Sequence, residues 1–248
     1  MAGEKAKDGW WENIKTIVYA IVIALMVRSF AFEPFAIPSG SMIPTLLVGD
    51  YLFVSKLSYG YSRHSFPLSP PIFEGRIFKS IPERGDVAVF KNDNDGGVDY
   101  IKRIVGLPGD RLQVIQGVLH INDQPVRRQR IADYVFTDRG SGVARGAPSY
   151  IETLPNGVSY RIVEILDDRG GLDNTPVYTV PDNHVFGMGD NRDGSQDSRV
   201  LASVGYIPMD NLVGRADRVI FSLDGAPWWH LWRWPFDIRT DRFFTAIR

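Results

Sequence analysis

Strict alternation along VDYIKRIV (98–105) places Val98, Tyr100, Lys102 and Ile104 on one face of a strand, with Asp99, Ile101, Arg103 and Val105 on the other. Lys102 therefore shares a largely apolar face. A lysine there ordinarily runs its stem along the sheet and holds its ammonium in water. If it is buried instead, desolvation lowers its pKa by up to ~3–5 units, and the neutral amine can take the proton of a serine hydroxyl.

That chemistry needs a nucleophile, and the familiar hydrolase signatures are missing. There is no G-x-S-x-G elbow, no H-E-x-x-H and no S-x-x-K. His64, His120, His184 and His230 are scattered without a motif, which weakens a Ser/His/Asp reading. The absence of cysteine excludes disulfides, thiol catalysis and thiolate zinc sites. GDNRDGSQDSR (189–199) invites a calcium reading, but an EF-hand register set by Gly194 would put Gly189 at a ligand position and Val200 where a glutamate is needed. The segment reads better as a tight loop of mutually paired Asp and Arg side chains, rigid enough to support a site. No metal and no cofactor are expected.

The elements that must position these residues begin with one apolar run, IKTIVYAIVIALMVRSFAF (14–32). Nineteen helical residues span about 28 Å, close to the roughly 30 Å hydrocarbon core of a bilayer. Lys15 and Arg28 can snorkel outward, and Trp10 and Trp11 precede the run as an interfacial belt does. A transmembrane helix at 14–32 is expected, after a cytoplasmic tail at 1–13. Two other readings compete: a buried core helix, and a cleavable secretory signal with Ile17–Val27 as its apolar region and Ser29-Phe30-Ala31 as its small-x-small site. Lys5, Lys7 and Lys15 favour a cytoplasmic N-terminus, with the rest of the chain outside.

Beyond Phe32 the chain reads as β-rich. Runs at 51–57, 86–90, 98–105, 111–115, 117–121, 159–166 and 176–180 are rich in Val, Ile, Tyr and Phe, and turn signals such as Asp95-Gly96 and Asn156-Gly157 separate them. A mainly antiparallel β protein follows. Its 44% hydrophobic and 23% charged residues are a globular composition that can bury a core. A net charge of −1 offers no global field for nucleic acid, which is not expected as a partner. PWWHLWRWPF (227–236) combines Trp with Arg and is expected either to pack as core or to dock beside a bilayer.

Taken in order after the apolar run, PSGSMIPTL, DYIKRIVGLPGD and GDNRDGSQDSR resemble the bacterial signal peptidase I family, the membrane-bound leader peptidases, and NLVGRA (211–216) resembles its segment after the last motif. The resemblance implies a catalytic β domain at 33–110 and 181–248 with a second β lobe inserted at 111–180. It implies Ser41 as nucleophile, Lys102 as general base, Ser39 as an oxyanion donor beside the Ser41 N–H, and Ser195 as the residue orienting Lys102. Asp190, Arg192, Asp197 and Arg199 would support that loop, and Phe35, Ile37, Leu46, Tyr100 and Ile101 would line the substrate cleft. Gly40, free of side-chain restriction, would let both serine hydroxyls face one side of the cleft.

The implied substrates are signal peptides of exported preproteins, cut after an Ala-x-Ala-like motif. The implied setting is the bacterial inner membrane, single-pass, with the catalytic domain on the periplasmic face, in contact with lipid and close to the export machinery. Gly194 departs from the family's usual asparagine, and VLASV after Arg199 is longer than the usual connection. Two alternatives remain open: a membrane-anchored β domain that binds without catalysis, and a Ser/Lys protein that cleaves itself.

Overall fold

The computed structural model describes residues 3–66, 69–71, 73–137, 144–167, 169–224, 232 and 234–247. Helix α1 (Gly3–Phe30) is longer at its start than the expected span and ends earlier, because Phe32 already belongs to a strand. Ile17, Val22, Leu25 and Val27, on different sides of α1, are about half exposed, which rules out the core-helix reading. Trp10–Phe30 is long and apolar enough to cross a membrane.

No linker follows the helix. The Glu33 carboxylate meets Arg28 at 2.7 Å and the buried Lys56 ammonium at 2.8 Å, locking the end of α1 to the β domain. β1 (Phe32–Ala36) pairs antiparallel with β2 (Asp50–Ser55), and the thirteen residues between them form the serine bend. Its base is closed by Ile37 N–H to the Asp50 carbonyl (2.8 Å) and Gly49 N–H to the Ile37 carbonyl (2.9 Å). Asp50 is buried there, accepting from the Leu47 N–H at 2.8 Å and pairing with Arg242.

β3 (Val87–Asn92) and β4 (Val98–Gly106) continue the sheet, then β5 (Arg111–Ile115), β6 (Val118–Ile121), β7 (Gln124–Pro125), β8 (Arg127–Thr137), β9 (Ala144–Thr153), β10 (Ser159–Val163) and β11 (Tyr178–Thr179) leave it. The chain returns through β12 (His184–Met188), β13 (Ile207–Pro208) and β14 (Leu212–Ser222). The large sheet has the order β1-β2-β14-β3-β4-β12-β13, while β5 to β11 form two smaller sheets, β11-β5-β6-β7 and β10-β9-β8. The mainly antiparallel β architecture expected from the sequence is present: the described strands pair antiparallel, and Val163 at the end of β10 forms an isolated parallel bridge with Asn191.

The large sheet carries a core on each face, which period-2 geometry demands of a central strand. Val87 and Val89 of β3 join one core with Met42, Leu46 and Leu52, whereas Ala88 and Phe90 join the other with Ile104 and Leu212. β4 lies between β3 and β12, and its side chains pass from exposed at Val98 and Asp99 through half-buried at Tyr100 and Ile101 to buried from Lys102 onward. Of the tryptophan-rich segment, residues 227–231 and 233 lie outside the described residues. Trp234 packs its ring near Phe221 at 6.0 Å, and Trp232 is exposed.

Candidate active site

The cover over β4 decides the state of Lys102. Its side chain is 3% exposed, and Nζ lies 2.8 Å from Ser41 Oγ, itself buried. Burial is the largest influence on the amine and lowers its pKa to about 8, outweighing Asp197 and Asp190, which raise it; Arg199 adds to the lowering. Among the described residues no carboxylate stands within ion-pair distance of Lys102. The other buried lysine, Lys56, differs in this respect, because Glu33 faces it directly.

The serine is held from behind. Asn191 donates its backbone N–H to the Ser41 carbonyl and its Nδ2 to the Gly40 carbonyl, both at 3.1 Å, while its Oδ1 accepts from the Gly194 N–H. Met42 and Leu46 anchor the bend in the core below. Among the described residues the Ser41 N–H has no acceptor, so it remains available to a ligand. Gly40 does not use a positive φ; a Cβ there would instead approach Ile43 Cδ1 to 2.9 Å.

Ser41 and Lys102 open into a cleft of about 420 Å³ whose walls include Ser39, Tyr100, Ile101 and Asn191. Ser39 is exposed on the same bend as Ser41. The other three expected lining residues are placed elsewhere. Ile37 and Leu46 are buried in the core beneath the bend, and Phe35 packs against that core and borders a separate cavity near Arg28. Apolar residues beside a cleft fit either role, and here packing claims these three.

The 189–199 loop is rigid, though not only through pairs of its own. Asp197 and Arg199 do pair within it, at 2.9 Å through both guanidinium contacts, and Asp197 also accepts the Gly189 N–H at 3.0 Å. Burial alone would raise the Asp197 carboxyl, but Arg199 beside it brings it below the ordinary value. Asp190 and Arg192 reach outside the loop. Asp190 takes a two-point pair from Arg103 and accepts from Thr45 Oγ1, and Arg192 pairs with the buried Glu152 on β9. The loop is further clipped to the end of β10 by Val163 N–H to the Asp190 carbonyl and Arg192 N–H to the Val163 carbonyl, both 2.9 Å.

Ser195 departs from the expectation. Its Oγ is buried without a hydrogen-bond partner, so the expected contact with Lys102 is not formed. It packs against Gly189, where a Cβ would stand 2.2 Å from Ser195 Oγ and 2.5 Å from the Ser41 carbonyl oxygen, so only glycine admits this approach. Arg103, Thr45, Glu152 and Asn191 were not singled out from sequence. The only usable signal was that Arg103 adjoins Lys102 and Asn191 lies within the GDNRDG run.

Comparison with known proteins gives concordant results. The profile described as Signal peptidase, peptidase S26 matches residues 10–221. Signal peptidase I of Rickettsia canadensis (strain McKiel) is 42% identical over 224 residues, 87% of this chain and 81% of the relative. Signal peptidase I of Rickettsia akari (strain Hartford) is 42% identical over 233 residues, 90% of this chain and 82% of the relative. A crystal structure of a signal peptidase I from Enterococcus faecalis V583 covers 55% of this chain and 97% of its own at 22% identity, with a TM-score of 0.31.

Proposed function

The chain belongs to the signal peptidase family, peptidase S26, and we propose that it cuts signal peptides from preproteins with Ser41 as nucleophile and Lys102 as general base. The observation that carries this reading is the 2.8 Å approach of a buried lysine amine, with no carboxylate to hold its proton, to a buried serine hydroxyl.

The steps follow from that geometry. Neutral Lys102 takes the Ser41 proton as Oγ attacks the scissile carbonyl, and the ammonium so formed returns it to the departing amine. Water, deprotonated by Lys102, then releases the acyl group from Ser41. The Ser41 N–H and the Ser39 hydroxyl hold the oxyanion, each such donor contributing on the order of 3 kcal/mol to the transition state. Ser195 Oγ, buried without a partner, turns toward Lys102 as it becomes charged. The loop built on Asp190, Arg192, Asp197 and Arg199 keeps the bend and the strand in register.

Tyr100 and Ile101 form shallow apolar walls that admit small side chains and exclude bulky ones, which supports cleavage after a small-x-small motif. Phe35, Ile37 and Leu46 act as the packed base of that wall. α1 anchors the enzyme in the membrane lipid with its N-terminus cytoplasmic and the β domain on the periplasmic side of the bacterial inner membrane, near the export machinery. Ser41 follows Phe30 by only eleven residues, so a signal peptide still in the bilayer meets the serine close to the surface.

The test is cleavage of a purified preprotein in detergent or liposomes, with products mapped by intact mass. We expect one cut after Ala-x-Ala, and loss of it when either small residue becomes Phe. Equal cleavage of the Phe substrates overturns the specificity.

A further inference from the structure

The end of α1 passes into β1 with no slack between them. The Ala31 N–H still donates to the Val27 carbonyl at 2.8 Å, while Phe32 is already paired with Ser55 on β2. Carbonyls at a helix C-terminus have no partner within the helix, and here the β domain supplies two. The Tyr61 hydroxyl donates to the Phe30 carbonyl at 2.7 Å, and the Lys56 N–H donates to the Ala31 carbonyl at 3.0 Å. The Phe30 ring stands edge-on to Tyr61 and Phe66, with centroids 5.8 and 5.7 Å away, and Ser29 is buried.

Glu33 closes this junction. Its Oε1 accepts from Arg28 Nε at 3.0 Å and Nη2 at 2.7 Å, and its Oε2 meets the buried Lys56 ammonium at 2.8 Å. Arg28 lies in the last turn of α1 and Lys56 directly follows β2, so one carboxylate holds the helix and the second strand together. Lys56 also donates to the Ser65 carbonyl, which draws in the short turn at Arg63–Ser65. With Lys56 1% and Glu33 14% exposed, water screens their contact far less than an ordinary surface pair. β1 is an edge strand, held by a ladder on one side alone, so a contact at its start bears directly on its direction.

We infer that Glu33 is a positioning residue for membrane-bound substrates: with Lys56 and Tyr61 it fixes the angle between α1 and β1, and so the height of Ser41 above the bilayer. This role rests on signal peptides being the substrate. β1 rises about 15 Å over its five residues and delivers the chain to the serine bend, so a change of angle at Glu33 is carried the length of the strand. A substrate whose apolar segment sits in the same bilayer presents its scissile bond at one depth, and about 1 Å of misplacement can cost ~10²-fold in rate. A short soluble peptide reaches the cleft from any direction and is indifferent to that height.

The experiment compares full-length parent and variant chains in proteoliposomes on two substrates. One is a preprotein whose signal peptide is inserted in the same membrane, and the other is a short water-soluble peptide spanning the same cleavage site. The first variant joins Glu33→Gln to Lys56→Met, so that neither charge is left buried alone. The second, Tyr61→Phe, removes only the hydroxyl that caps the Phe30 carbonyl and keeps the ring. The double variant is expected to lose ~10-fold or more in kcat/KM on the preprotein, and Tyr61→Phe less, while both keep the parent rate on the peptide. Variants that keep the parent rate on both substrates, or lose the same factor on both, overturn the positioning role and leave the Ser41 and Lys102 assignment standing. A parent that cleaves neither substrate overturns the signal-peptide reading and the positioning role with it. If the double variant fails to fold, Tyr61→Phe decides on the same contrast between substrates.

Discussion

The Arg103 guanidinium and the Asp190 carboxylate meet at two points, Nε–Oδ1 at 2.8 Å and Nη2–Oδ2 at 2.6 Å, with neither side chain exposed. Arg103 adjoins Lys102 on β4 and Asp190 adjoins Asn191, so this pair sets the strand bearing the base against the loop that holds the serine bend. Arg103→Met leaves Asp190 buried and unpaired, and is expected to destabilise the protein by about 3–5 kcal/mol. Arg111→Ala, which breaks the exposed pair with Asp123, should cost about 1 kcal/mol or less. Chemical denaturation of both variants checks the contrast; equal small losses would remove Arg103 from this structural role.

The pH dependence follows from Lys102. Only its neutral form can act as base, and its pKa is about 8 because burial disfavours the ammonium. The kcat/KM should rise about tenfold per pH unit below that value and level off above it. A flat profile between pH 6 and about 9 would contradict the assignment.

Stability carries the same signature with a definite sign. In the unfolded chain the lysine titrates near ~10.4, so below the folded pKa both states are charged and the folded state bears the full desolvation penalty, on the order of 3 kcal/mol. As pH rises from about 8 toward the unfolded value, the unfolded chain binds more protons and the penalty disappears. Lys102→Met is therefore expected to be more stable than the parent at neutral pH and to lose that advantage in alkali, as thermal melting across the range will show.

Ser195 offers a separation of structure from catalysis. Its Oγ makes no hydrogen bond in the folded protein, so Ser195→Ala should change stability by only about 0.5 kcal/mol. If the hydroxyl turns to Lys102 when the ammonium forms, kcat should fall ~10- to 100-fold, the worth of a hydrogen bond to a charged group. An unchanged kcat would leave Ser195 as packing beside Gly189.

The fold class was legible because strands such as 98–105 and 111–115 alternate or cluster β-branched residues between turn signals. β8 and β9 were not, since RRQRIADYVFT and ARGAPSYIET are charged, polar or interrupted by Pro, and their stability as strands comes from pairing with each other. Ser41 and Lys102 were legible through the order of three motifs. Arg103, Glu152 and Asn191 were not, because each acts on a partner 40 or more residues away, and such a relationship has no local pattern. Ile37 and Leu46 show the converse: apolar character beside a cleft does not distinguish a wall from the core behind it.

The measurement closest to the central claim is preprotein cleavage by the full-length chain and its Ser41→Ala and Lys102→Met variants, each shown by its melting curve to be folded. The account predicts that both variants lose cleavage to background, because either change removes one half of the 2.8 Å contact. Cleavage that persists near the parent rate in either folded variant contradicts it.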